Sequence, residues 1–182
     1  MRSASTRLQT PLGSLEFFAE ICSESLTEKE VSIQLGPITP KLPDGMNVDS
    51  SHGVLLRVQH QNEIASLRFF CKWEQSSQLG VRESGEGLDA QSWESKDSIV
   101  MIGTEDDEFL NSRLSAFRLN SEEEMVEYLP DGFVISIGRI PPHKPVSLHY
   151  LVATNSVPEP EECSAWFAVD VQHPRVIETM QG

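Results

Sequence analysis

LPDGFVISIGRIPPHKPVSLHYLVATN, Leu129 to Asn155, is the stretch whose reading decides the fold class. Phe133, Ile135 and Ile137 alternate with Val134, Ser136 and Gly138, a period of two that places successive side chains on opposite faces of a strand. Pro141-Pro142-His143-Lys144-Pro145 then forms a turn, because its three prolines exclude a helix and remove ladder donors. Val146, Leu148, Tyr150 and Val152 resume the alternation against Ser147, His149, Leu151 and Ala153. Asp131-Gly132 opens the unit and Thr154-Asn155-Ser156 closes it. Two such strands cannot stay uncovered, and they are expected to form the spine of a mainly antiparallel sheet.

Working outward, a second unit has the same form. Val54, Leu56, Val58 and His60 alternate with Leu55, Arg57 and Gln59, and after Gln61-Asn62 the run Ala65, Leu67, Phe69, Cys71 and Trp73 alternates with Ser66, Arg68, Phe70 and Lys72. It reads as a hairpin. Leu15 to Cys22, Val31 to Leu35 and Ile99 to Ile102 give further strands, and the alternation of Ala165, Phe167 and Val169 gives another. Arg175 to Glu178 reads as an edge strand. Thr104 before Glu105, Asp106 and Asp107 predicts a short helix, with acids where the macrodipole favours them. Ser121 with Glu124 matches a capping box, and Met125 and Leu129, four apart, predict a second helix. The expected fold class is mainly β, with α+β at the margin: an antiparallel β-sandwich or partly open barrel with two short helices. Residues 1–12 read as a flexible N-terminal segment. Residues 13–182 read as one β-rich domain, with a mobile acidic loop at about 75–97 that contains Trp93.

Composition narrows the function classes. A chain of 182 residues with 38% hydrophobic and 23% charged residues can bury a core without staples. No apolar run approaches the roughly 20 residues of a membrane helix. The net charge of −14 argues against direct binding to duplex nucleic acid, where phosphate neutralisation supplies much of the affinity. Cys22, Cys71 and Cys163 are odd in number and far apart, which suits a reducing cytoplasm better than a disulfide framework.

Catalytic motifs are sparse. There is no HExxH, no GxSxG and no phosphate-binding glycine loop, and no motif implies a bound cofactor. The histidines His52, His60, His143, His149 and His173 are scattered. The one metal-ligand set that sequence suggests is His52, His60, Glu63 and His149. In residue types alone it resembles the ligands of metal-binding jelly rolls of the cupin kind. That family's first motif separates its histidines by one residue, whereas seven intervene between His52 and His60.

Charge distribution is the stronger signal. Between Glu83 and Asp131 stand fourteen acids, opposed only by Lys96, Arg113 and Arg118. A field concentrated in this way steers a cationic partner. The expectation is therefore a non-catalytic cytoplasmic binding protein of the inhibitor or immunity kind. It would engage a basic protein surface through Trp93, Asp106, Asp107, Glu108, Glu122 and Glu123. A metal-dependent small-molecule enzyme on a β-barrel, using the His52–His149 set, and a structural subunit of a larger assembly are the alternatives.

Overall fold

The computed structural model describes residues 2–23, 30–75, 79–115, 124–159 and 163–181. Its strands are β1 (Arg2–Thr10), β2 (Gly13–Cys22), β3 (Val31–Pro37), β4 (Ser50–Val58), β5 (Ser66–Trp73), β6 (Val81–Gly85), β7 (Leu88–Glu94), β8 (Ser98–Glu105), β9 (Val126–Leu129), β10 (Gly132–Ile137) and β11 (Val146–Ser156). Helix α1 (Asp107–Leu114) follows β8, and α2 (Ser164–Val169) and α3 (His173–Gln181) close the chain. One sheet has the order β1-β2-β5-β10-β9 and the other β3-β4-β11-β8-β7-β6, every pair antiparallel. The two pack face to face as a β-sandwich.

The strands predicted from alternation before Asn155 are present, but both predicted hairpins are absent. β10 pairs with β5 and β9, whereas β11 pairs with β4 and β8 in the opposite sheet. β4 and β5 are divided between the sheets in the same way. Each pair is thus an arch, whose two strands face one another across the core instead of sharing a ladder. The two crossovers meet where Ile64 and Ile140 exchange backbone hydrogen bonds of 3.1 and 2.8 Å. The proline turn serves this sheet change well, because residues that cannot donate to a ladder release the strand from its sheet.

Inside the sandwich, register brings like with like. Ile135 faces Phe69, which faces Ala19, and Phe133 faces Cys71, which faces Phe17. From the other sheet Val54, Leu56, Leu148, Tyr150 and Val152 complete the core. The Tyr150 hydroxyl donates to the Phe69 carbonyl across the layers at 2.8 Å, satisfying the one polar atom its burial would otherwise strand.

The second sheet is also covered on its outer face. Leu55, Met101, Leu151 and Ala153 pack against Ala165, Ala168, Val169, Val176 and Met180 of α2 and α3. This third layer explains why β4, β8 and β11 are apolar on both faces. Gly103 permits the close approach, since a Cβ there would lie 2.9 Å from Val169.

Several local expectations are corrected. Residues 2–10, read as a flexible segment, form β1, whose Leu8 is buried opposite Leu15. Within the stretch read as a loop, β6 and β7 form a hairpin about Glu86-Gly87. Trp93 belongs to β7, is 3% exposed and packs edge-on to Trp73 at 5.6 Å. Residues 164–169 and 173–181 are helices and not strands. Alternating Ala165, Phe167 and Val169 also supply Ala165, Ala168 and Val169 at helical spacing, and six residues cannot separate the two periods. Pro174 is tolerated in the first turn of α3, where its missing N–H has no partner to lose. Helix α1 begins two residues later than expected: Asp106 caps it by accepting from Phe109 N at 2.9 Å, while Thr104 and Glu105 end β8. Residues 126–129, predicted to be helical, form an edge strand.

Candidate functional site

The fold turns the acidic run into one lateral edge. β6 and β7 end the second sheet and β9 ends the first, and these ends touch: the Tyr128 hydroxyl donates to Asp89 at 2.6 Å, and the Arg82 guanidinium lies 4.1 Å from the Tyr128 ring centroid. Burial raises the Asp89 carboxyl above its ordinary range, against the lowering effect of the Tyr128 hydrogen bond, and Tyr128 is raised in turn.

The acids expected to contact a partner divide by role. Asp106 accepts from Gly87 N as well as from Phe109 N, and Asp107 accepts from Met125 N and Val126 N at 2.7 and 3.1 Å. Both carboxylates therefore shape the chain locally. Glu108 is exposed, as are Glu86, Glu94, Asp97, Glu124 and Glu127. Glu122 and Glu123 lie outside the described residues. Trp93 faces the core and offers no contact surface.

The metal set suggested by sequence does not assemble. His60 bridges the crossovers, with its ring nitrogens on the carbonyls of Asn62 and Lys144, and Glu63 pairs with Arg139 at 2.5 Å. His52 lies in β4 opposite Val152. His149, from the same set, is instead part of a different cluster. Among the described residues, Glu105, His149 and His173 are the group of three whose donor atoms converge, all within 4.8 Å of one another.

Three elements build this cluster. His149 occupies an outward-facing position of β11, Glu105 ends the neighbouring β8, and His173 begins α3, which lies against β11 and β4. The two Nδ1 atoms are 2.8 Å apart, so one carries a proton and donates it to the other. The Ser147 hydroxyl holds His173 Nε2 at 2.8 Å, and the Thr104 hydroxyl donates to the His149 carbonyl at 2.8 Å. Arg113 of α1 grips both oxygens of Glu105, at 2.6 and 3.3 Å, and also donates to the Ser147 carbonyl at 2.8 Å.

Burial sets the electrostatics. Desolvation drives the His149 imidazole well below its ordinary pKa, with His173 and Arg113 adding to the effect. Desolvation also lowers His173, to about 3, helped by Arg113 and Arg57. Both rings are therefore neutral at pH 7, and the 4.0 Å approach of His173 Nδ1 to Glu105 is not an ion pair. A neutral buried histidine is protonated in the unfolded chain before it is protonated in the folded one. Its contribution is complete above about pH 6.5 and is lost as pH falls from there toward about 3 for His173. Urea titrations of the metal-free chain should show stability declining by up to about 1.4 kcal/mol per pH unit for each ring. His173→Gln should flatten this slope, and an unaltered slope in the variant would contradict the assignment.

The cluster reaches solvent on two sides. Glu105 borders a small pocket of about 40 Å³ shared with Glu86 and Asp170, and His173 and Arg113 border an open cleft of about 500 Å³ with Ser147 and Ile177. The sequence gives His173 and Glu105 no signal of their own, because positions 105, 149 and 173 have no local spacing and meet only through the third layer. No family model, no curated protein and no solved structure matches this chain.

Proposed function

We propose that the chain is a non-catalytic binding domain that docks a basic protein surface along the edge formed by β6, β7, β9 and α1. The observation that supports this reading is the gathering of Glu86, Glu94, Asp97, Glu108, Glu124 and Glu127, all exposed, on elements at that edge. Lys96 beside them is paired with Asp97 at 3.5 Å, and Arg113 is committed to Glu105. Fields of this kind raise association rate and select against anionic partners. They suit an inhibitor or immunity role, in which an acidic surface masks a cationic enzyme.

No disulfide joins Cys22, Cys71 and Cys163, and no helix among the described residues is long and apolar enough to cross a membrane. We place the domain in the cytoplasm.

The test is charge reversal at residues free of local structural duty. Glu108→Lys with Glu127→Lys should leave the fold intact, because neither carboxylate caps or braces the chain as Asp106 and Asp107 do. Against a purified cationic partner isolated by capture, association should slow by about tenfold or more at low salt, and the difference should shrink at high salt. Equal association rates for the variant and the parent chain would refute the acidic edge as the docking surface.

A further inference from the structure

We propose that Glu105, His149 and His173 form a binding site for a divalent transition metal, with Zn²⁺ the best match, that clamps α3 to the outer face of β8 and β11. The site adjoins the acidic edge, but the proposal does not rest on that edge's docking role and stands or falls independently of it.

The donor set comes first. Two imidazole nitrogens and one carboxylate oxygen converge within 4.8 Å, a combination of borderline ligands that suits zinc. Both histidines present the same atom, Nδ1, to one point, and their 2.8 Å separation is bridged by a single proton. That proton occupies the place an ion would take. Ligands at about 2.0–2.2 Å from a tetrahedral ion lie about 3.3–3.6 Å apart, so binding requires the rings to part by about half an ångström or slightly more and Glu105 to advance by about one.

The surroundings are those of a supported site. Metal-bound histidines are oriented through their second nitrogen, and His173 Nε2 is held by Ser147 in this way. The rings are neutral, the state in which imidazole binds metal. The pocket beside Glu105 brings Glu86 and Asp170 near the incoming charge, and the cleft beside His173 supplies a path from solvent. Arg113 is the competitor. Its guanidinium neutralises Glu105, so metal entry is opposed until Arg113 turns into the cleft that it lines.

Loading balances simply. M²⁺ binds His149 Nδ1, His173 Nδ1 and Glu105, and the proton shared by the two Nδ1 atoms is displaced. In the resting tautomers this proton belongs to a neutral ring whose other nitrogen can take it, so release to solvent is not obligatory.

The test uses the full-length chain, stripped with chelator and titrated with Zn²⁺. Native mass spectrometry should show one ion per chain, and at a hundredfold excess over Kd the Tm should rise by about 5 °C or more. Glu105→Gln and His173→Gln should each lose the stoichiometric ion and most of the shift. Arg113→Gln removes the competitor, and its zinc-induced Tm shift should exceed that of the parent chain. If a variant fails to fold, the parent chain alone still decides the matter. Absence of a stoichiometric ion and of any Tm shift in the parent chain overturns the proposal, as does an ion retained by a folded Glu105→Gln or His173→Gln chain.

Discussion

Arg113→Ala is expected to cost about 3–5 kcal/mol of folding stability, the usual consequence of leaving a buried charge without its partner. Glu105 is 7% exposed, and both of its oxygens accept from the Arg113 guanidinium. The same guanidinium caps the Ser147 carbonyl, so truncation abandons a second acceptor beside the histidine pair. The cost lies in the orphaned carboxylate more than in the lost contact. Combining Arg113→Ala with Glu105→Gln should therefore recover a substantial part of it, because a neutral amide tolerates burial better than an anion does. Urea denaturation of the single and double variants measures this directly. A single-variant loss below about 1 kcal/mol would show that water already solvates Glu105 through the adjoining pocket.

Gly132→Ala should be at least as damaging, with a loss of about 4 kcal/mol or more and failure to fold as the plausible extreme. Gly132 has φ +151°, a conformation that side-chain-bearing residues rarely adopt. The added Cβ would also lie 1.9 Å from the Cys71 carbonyl oxygen and 2.9 Å from its carbon. These are backbone atoms of β5, paired to β10 in register, so relief requires parting the two central strands of the first sheet. Gly138 is the control, since nothing lies within 4 Å of a Cβ placed there. Thermal unfolding of the two alanine variants should separate them widely, and similar Tm values would contradict the steric account.

The residues that carry the sandwich were legible because their alternation is long and unbroken. Phe133 to Ile137, Val146 to Val152 and Leu67 to Trp73 are strands with the inward faces their period implies. Partnership was not legible. Periodicity reports which face is apolar and is silent on whether two consecutive strands share a sheet or oppose one another, so arches were read as hairpins. Trp93 shows a different limit: the glycines and polar residues around it mimic a loop, while Leu88, Ala90 and Trp93 are buried in a short strand. At the cluster, the sequence offered His149 in the wrong company. Glu105 stood among helix-capping acids and His173 next to a proline, and only the packing of α3 on β11 unites them.

The arches also constrain how the chain can fold. With β4 and β5, and again β10 and β11, split between the layers, the ladders that hold each sheet together join strands distant in sequence: β2 waits for β5, β5 for β10, and β4 and β8 for β11. Neither sheet can be completed from one contiguous stretch. Loop-closure entropy must be met before those pairings return any stabilisation. The sandwich is thus expected to fold slowly, its two layers forming together, and cutting the chain between Val58 and Ser66 would part β1–β4 from β5–β11 and break one interior ladder in each sheet, β2 with β5 and β4 with β11.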